Sequence, residues 1–340
     1  MNINDRLSKE LGLKLNIINN VIELLDGGNT VPFIARYRKE MTGGLSDEVL
    51  RNLEERLVYL RNLQERKETV RKLIEEQGNL TEEIENNLKK ADTLTEVEDI
   101  YRPFKPKKRT RAIIALERGL KPLGELILSG EFKGNIEDEA EKFINEEKDV
   151  NSKEDAIKGA LDIVAEIISD EAKYRKWIRT FVFNEGLIET KGGSEEQTPY
   201  EMYYDYSEEV KKIPSHRILA INRGEKEKIL SVKIVSNEDK IISYLESNLL
   251  KGNKETDILL SEAIKDSLKR LIYPSIEREI RSELTDKGEE GAINVFKENL
   301  KALLLQAPIK GKVVMGYDPG FRTGCKIAVL DSTGKFLENT

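Results

Sequence analysis

SDEVLRNLEERLVYLRNLQERKETVRKLIEEQG, residues 46–78, decides the fold class. Ser46 is a strong N-cap, and Asp47 and Glu48 put negative charge at the positive end of the helix that follows. Leu50, Leu53, Leu57, Leu60, Val70 and Leu73 recur at helical spacing in one narrow stripe. Glu54, Glu55, Arg56, Glu65, Arg66, Lys67 and Glu68 mark the wet side. Nothing breaks the pattern before Gly78, so the segment forms a rod about 45 Å long at 1.5 Å per residue. A stripe of this width is built to pack on other helices, and a chain organised around it is mostly α.

On the N-terminal side, apolar residues at helical spacing run from Ile3 to Leu25, interrupted at Gly12 and stopped by Gly27 and Gly28. Between that helix and the rod lies TVPFIARYRKEMTGG, residues 30–44. Arg36, Arg38 and Lys39 stand there among Phe33 and Tyr37, a second small candidate site for a polyanion. The competing reading is a buried aromatic hinge with surface arginines. On the other side, a helix over Glu82–Ala91 folds back on the rod after Gly78-Asn79. Thr95 with Glu98 then reads as a capping box that opens a short helix.

That helix leads into RPFKPKKRTR, residues 102–111, the most basic stretch of the chain. Arg102, Lys105, Lys107, Lys108, Arg109 and Arg111 are cationic, and none of the ten residues is acidic. Pro103 and Pro106 fix φ and bias the residues before them toward extended backbone, so the ribbon is expected to be stiff and non-helical. Closely spaced cations that cannot fold back on carboxylates suit phosphate contacts. Tyr101 and Phe104 either anchor the ribbon in the core or stack on a base. The alternative is a solvated linker neutralised by nearby acidic helices.

After Arg111 two short helices are expected, broken around Gly119 and Pro122, then an acidic surface segment over 131–152. Ser152 caps a long helix, and a junction near Ser169-Asp170 starts another that carries Trp177, read as a core residue. KGGSEEQT (191–198) reads as a polar loop and a possible subdivision point. His216, beside a Ser215 cap, has no partner at metal or nucleophile spacing and reads as structural. Ile229–Val235 alternates like a strand. Helices follow over 239–250, over 255–284 with Pro274 as a kink or a first-turn residue, and over 291–305, ending before Pro308. The character then changes. KVVMGYD (312–318) reads as a buried strand, PGFRTG as a tight turn, 325–331 as a second strand, and DSTG (331–334) as a hairpin turn into a third. Residues 1–310 are therefore expected to be a helical region and 311–340 the opening strands of an α/β domain, its remainder lying outside this chain.

The totals limit the function. The net charge of −7 repels nucleic acid, so any such binding must come from local clusters. One cysteine, Cys325, and one histidine, His216, exclude an internal disulfide framework and a Cys- or His-based metal site. No apolar run approaches the ~20 residues of a membrane span and no signal-type segment opens the chain, which points to a cytoplasmic protein without membrane partners. Phosphate-binding Gly-rich motifs, dinucleotide fingerprints and a Ser-His-Asp arrangement are missing, and no cofactor is called for.

Four long motifs carry a specific resemblance: TVPFIARYRKEMTGGLSDEVLRNLEERLVYL, LTEVEDIYRPFKPKKRTRAIIALERGLKPL, YEMYYDYSEEVKKIPSHRILAINRGEKE and VVMGYDPGFRTGCKIAVLD. In that order they resemble the N-terminal half of the Tex family, bacterial transcription accessory proteins. The resemblance spans essentially the whole chain. It implies helix-turn-helix-like packing in the helical region, followed by an RNase H-like domain of the YqgF type. It also implies a non-catalytic, nucleic-acid-binding factor that acts with RNA polymerase on RNA or DNA. In catalytic RNase H-like domains a carboxylate at the position of Asp318 helps hold magnesium, with others from later strands. A structure-specific nuclease completed by carboxylates beyond residue 340 is therefore the alternative, and a helical scaffold that binds only proteins is a third reading.

Overall fold

The computed structural model describes residues 2–132, 134–193, 197–307, 309–320 and 324–340. It is mostly helical, with two small antiparallel sheets. The chain divides into two compact units, residues 1–186 with 235–278, and residues 187–234 with 279–340.

The first unit starts with four helices, α1 (Ile3–Leu11), α2 (Leu15–Asp26), α3 (Val31–Tyr37) and the single turn α4 (Lys39–Thr42). The first three pack on α5 (Asp47–Glu76), the long rod, while α4 packs on α2 and α3, and the rod begins as its sequence demands: Ser46 Oγ accepts from Val49 N at 3.3 Å. Leu50, Leu53, Leu57, Leu60, Leu63, Val70 and Ile74 are its buried stripe, and Leu7, Ile18, Val21 and Ile34 complete that core. Leu15, within the apolar run from Ile3 to Leu25, is 42% exposed, because Gly12 ends α1 and starts the second helix on a new phase.

Next come α6 (Glu82–Lys90) and α7 (Leu94–Tyr101). The cap of α7 is Thr93, not Thr95: Thr93 Oγ1 accepts from Glu96 N at 3.2 Å, and the Glu96 carboxylate accepts from Asp92 N at 2.7 Å. Two T-x-x-E patterns overlap here, and the upstream one leaves Glu98 to pair with Arg66 at 2.6 Å.

A second core in this unit is built around α11 (Lys153–Asp170), capped by Ser152 as expected, after α8 (Arg111–Glu117), α9 (Lys121–Ser129) and α10 (Ile136–Glu141). Gly159 allows the closest approach. A Cβ there would lie 2.3 Å from Leu120 Cδ1, and Leu120 has no exposed surface. α12 (Ala172–Glu185) follows, and Trp177 on it is half-buried and stacked on two rings, its centre 3.7 Å from that of Tyr244 and 5.3 Å from that of Phe181.

The second unit contains β1 (Leu187–Gly192), β2 (Asp205–Glu209), α13 (Ser215–Lys226) and β3 (Leu230–Val235), with sheet order β2-β1-β3. β1 includes Lys191 and Gly192, the first two residues of the polar loop expected over 191–198. Residues 194–196 of that loop lie outside the described residues. Ser215 is the first residue of α13 rather than its cap, and its hydroxyl donates to Lys287 O.

Returning to the first unit, α14 (Glu238–Leu249) and α15 (Lys254–Asp266) lead into a π-helical turn at Ser267–Ile272 and then α16 (Tyr273–Leu304). Pro274 therefore sits in the first turn of a helix, after a widened turn, where its missing N–H costs little. Helix α16 belongs to the first unit up to Arg278 and to the second beyond it. It runs unbroken to Leu304, so the separate helix expected from Gly291 does not exist.

In the second unit, β4 (Val314–Gly320), β5 (Gly324–Leu330) and β6 (Phe336–Asn339) form an antiparallel sheet in that order. The Asp331 turn is as expected: Gly334 N donates to Asp331 O, and Asp331 Oδ1 accepts from Thr333 N and Lys335 N. The strand at 312–318 is not buried; Met315 and Tyr317 are 63% and 57% exposed. Three short strands have too little surface to bury their own faces. The turn expected at PGFRTG and the end expected at Pro308 involve 321–323 and 308, outside the described residues.

Candidate nucleic-acid interface

The basic ribbon is fastened at several points. Arg102–Phe104 is a 3-10 turn, which tolerates Pro103 in its first positions, and Arg111 is already the first residue of α8, so the non-helical stretch is only Lys105–Thr110. Tyr101 is buried, with the Arg66 guanidinium 5.5 Å from its ring centre. Phe104 packs on the core of the rod, and its carbonyl accepts from Gln77 Nε2 at 3.0 Å. Both aromatics are thus anchors. Thr110 Oγ1 caps α8 by accepting from Ile113 N.

The six cations divide into two groups. Arg102 and Lys107 face inward. Lys107 Nζ contacts Glu166 Oε1 at 2.8 Å and also Asp170, while Arg102 Nε lies 3.5 Å from Asp170 and its Nη2 donates to Ser275 Oγ at 3.3 Å. Lys105, Lys108, Arg109 and Arg111 are exposed. Arg109 meets Glu117 at 3.1 Å, but at 72% and 55% exposure such a pair holds by at most about 1 kcal/mol. For Lys105, Lys108 and Arg111 there is no carboxylate within ion-pair distance among the described residues. The inward pair fixes the ribbon on the end of α11, and the outward group presents charge.

This arrangement borders a groove of about 620 Å³. Arg102, Lys105, Lys107, Lys108, Arg270 and Arg278 line it against Glu166 and Asp170, six cations facing two carboxylates. Arg270 and Arg278 come from the π turn and the first turns of α16, more than 150 residues away in sequence. Arg270 is committed to Asp266 and to Asp162 (3.1 Å), and the hydrogen bond to Asp266 raises its pKa. Burial pushes the Asp162 carboxyl up, while Arg270 and Arg111 pull it down. Arg278 is exposed, with its Nε on Pro274 O at 3.0 Å. Sequence reasoning missed both arginines, because no local pattern links residues 270 and 278 to a ribbon more than 150 residues away.

The second candidate cluster lies on α3 and α4. Phe33 and Tyr37 are 37% and 56% exposed, which removes the reading as a buried hinge. Val31 and Ile34 are the buried face of this short helix, so Phe33, Arg36 and Tyr37 point outward. The rings are 5.2 Å apart, and the guanidiniums of Arg38 and Arg36 lie 5.1 and 5.9 Å from the ring centres of Phe33 and Tyr37. Lys39 is exposed.

The remaining candidates do not join these clusters. His216 is exposed rather than an internally satisfied side chain. With Tyr200, Leu219, Arg223, Val295 and Phe296 it lines a largely apolar concavity of about 730 Å³ in the second unit. Asp318 is exposed on β4, in register with Lys326 of β5. Among the described residues no group of three or more His, Cys, Asp or Glu side chains is arranged to hold a metal, and no helix is long and apolar enough to cross a membrane.

Comparison with known proteins yields three family matches in chain order: "Tex-like protein N-terminal domain" at residues 1–75, "Tex central region-like" at 133–296 and "Tex protein YqgF-like domain" at 312–340. The chain belongs to the Tex family. Among Tex relatives, the uncharacterized protein YdcI of Bacillus subtilis is 48% identical over 342 residues, covering 99% of this chain and 47% of that protein. The transcriptional accessory protein Tex of Neisseria gonorrhoeae is 41% identical over 347 residues, covering 99% of this chain and 45% of its own length. The human S1 RNA-binding domain-containing protein 1 is 29% identical over 364 residues, covering 97% and 35%. This chain thus spans about half the length of the Tex relatives it matches. The basic ribbon lies between the first two family matches.

Proposed function

We propose that this chain is the nucleic-acid-associated N-terminal part of a transcription accessory factor, acting in the cytoplasm with RNA polymerase on RNA or DNA and breaking no bonds itself. The observation that carries the reading is the groove beside the ribbon, where Lys107 is fixed by Glu166 and Asp170 while Lys105, Lys108 and Arg278 remain exposed. A pinned backbone with outward cations contacts phosphates at low entropic cost, and such contacts carry affinity without sequence preference. The names of the relatives, one a transcriptional accessory protein and one an S1 RNA-binding domain-containing protein, support the same direction. Arg36, Arg38 and Lys39 are assigned to the same ligand. Residues 1–310 are proposed to work as the helical region and 311–340 as the start of the RNase H-like domain.

The test is a salt titration of binding to a duplex and to a single strand. Replacing Lys105, Lys108 and Arg278 with Ala should weaken binding equally across sequences. Each lost phosphate contact should flatten the log–log salt slope by about 0.9 on duplex or about 0.7 on single strands. An unchanged slope would assign the groove to the scaffold. A nuclease is the second reading, favoured by the YqgF-like match and by Asp318 on its first strand. Magnesium-dependent hydrolysis that is lost in Asp318→Asn would establish it.

A further inference from the structure

Residues 2–80 contain eight arginines. Six of them, Arg6, Arg51, Arg56, Arg61, Arg66 and Arg71, hold carboxylates at 3.1 Å or closer. For Arg36 and Arg38 there is no carboxylate within ion-pair distance among the described residues, and each instead faces an exposed aromatic ring. In a chain with net charge −7, two neighbouring guanidiniums without carboxylates are an exception.

We infer that Phe33, Tyr37, Arg36 and Arg38 form a base-stacking site that gives the protein a preference for unpaired strands of nucleic acid. The inference rests on the proposed nucleic-acid reading and adds to it a ligand class that the groove cannot supply, since cations alone do not separate single strands from duplex.

The placement follows from the helix. Phe33 and Tyr37 are four residues apart, so their rings share one face of α3, while Val31 and Ile34 anchor the opposite face in the core. Arg38 ends α3 with φ −131° and ψ 30°, and its Nη1 donates to Tyr37 O at 3.0 Å, which turns its guanidinium back toward Phe33. Gly43, at φ +64°, then returns the chain toward α5; a Cβ there would come within 3.2 Å of Ile17 Cδ1. The rings therefore stand on a helix whose other face is buried in the core.

An exposed ring accepts any base on its π-face, whereas the bases of a duplex are stacked on each other and unavailable. The guanidiniums that stand over the rings can reach the phosphates of the same strand or stack on a base themselves. The Trp177 ring, by contrast, already stacks on Tyr244 and Phe181.

The experiment compares the 340-residue chain with F33A/Y37A and F33L/Y37L by fluorescence anisotropy. The probes are oligo(dT), oligo(U), a duplex and an abasic strand, all of equal length. Both variants should bind the two base-carrying single strands roughly tenfold more weakly or worse, since stacking contributes about a factor of ten per base. Duplex and abasic binding, and the salt slope, should not change. Leucine keeps the apolar area and removes the π-face, so its agreement with alanine separates stacking from burial, and unchanged circular dichroism confirms the fold. Oligo(dT) against oligo(U) distinguishes DNA from RNA. Single-strand affinity equal to wild type, which would leave the patch to a protein partner, overturns the inference. So does an equal loss on duplex and abasic strands, or no measurable single-strand binding by the wild type. The groove variant K105A/K108A/R278A acts on every probe through the salt slope, so a failure of the groove reading is distinguishable from a failure of this one.

Discussion

Arg175, which has no exposed surface, donates its Nε to Asp99 Oδ1 over 2.8 Å. Arg179 approaches the same carboxylate at 2.9 Å, and Arg175 Nη2 donates to Ser275 Oγ at 3.1 Å, the hydroxyl that also receives Arg102 at 3.3 Å. One buried carboxylate thus ties α7, α12 and the start of α16 to the first residue of the ribbon.

Asp99→Ala removes a carboxylate that two guanidiniums contact, one of them fully buried. Breaking a buried pair from one side costs about 3–5 kcal/mol, more than most single substitutions. Chemical denaturation should show that loss, and Asp99→Leu with Arg175→Met should recover most of it. A change under 1 kcal/mol for Asp99→Ala would mean that the pair organises nothing.

The ribbon's inward staple makes a local prediction. Asp170→Asn with Glu166→Gln leaves Lys107 without its two carboxylates and should release the ribbon while sparing the core, since both changes conserve volume. Trypsin under native conditions should then nick after Lys107, Lys108 or Arg109 several-fold faster than in the parent, with little change in melting temperature. The Lys105–Pro106 bond serves as an internal control, because trypsin cuts poorly before proline. Equal nicking rates would show that Phe104 and Gln77 hold the ribbon alone.

Gly159 tests the second core. Inside an exposed helix, Gly→Ala stabilises by up to about 1 kcal/mol. Here the new methyl meets Leu120 Cδ1 at 2.3 Å, and Leu120 is fully buried. Overpacking of this kind costs about 1–3 kcal/mol, so it outweighs the propensity gain. Gly159→Ala should lower the melting temperature by a few degrees. Stabilisation would show that α9 moves aside freely.

The long helices were legible because their signals are local: Ser46 and Ser152 cap within three residues, and the apolar stripe of α5 repeats without interruption. What escaped depends on distant partners. β1 carries Leu187, Ile188, Glu189, Thr190, Lys191 and Gly192, a weak strand pattern that becomes one because β2 pairs with it from Leu187↔Glu209 to Lys191↔Asp205 and β3 lies on its other side. Gly291 read as a helix start, yet α16 continues through it. Charge density in the ribbon was visible in the sequence. Its division was not, since that depends on Glu166 and Asp170 from one helix and on Arg270 and Arg278 from another segment.

Glu10 connects the N-terminal helix to the rod. Its carboxylate takes Arg56 Nε at 2.6 Å and Arg6 Nε at 2.8 Å, and Arg6 continues to Asp92 at 2.8 Å. The Arg56 hydrogen bond, opposed by partial burial and joined by Arg6, holds the carboxyl down at about 2, against 4.5 for the free group. The folded pKa is the lower one, so the unfolded chain binds the proton more tightly. The resulting stability is fully present above about pH 4.5 and is lost as pH falls toward 2. The side chains of Glu10 and Arg56 are each 32% exposed, so solvent screening reduces the contribution to about 1 kcal/mol. Glu10→Gln should lose that amount at pH 7 in urea denaturation, and the gap to the parent should close between pH 4.5 and 2. A gap that stays constant over that window would show that Glu10 acts through packing and not through its charge.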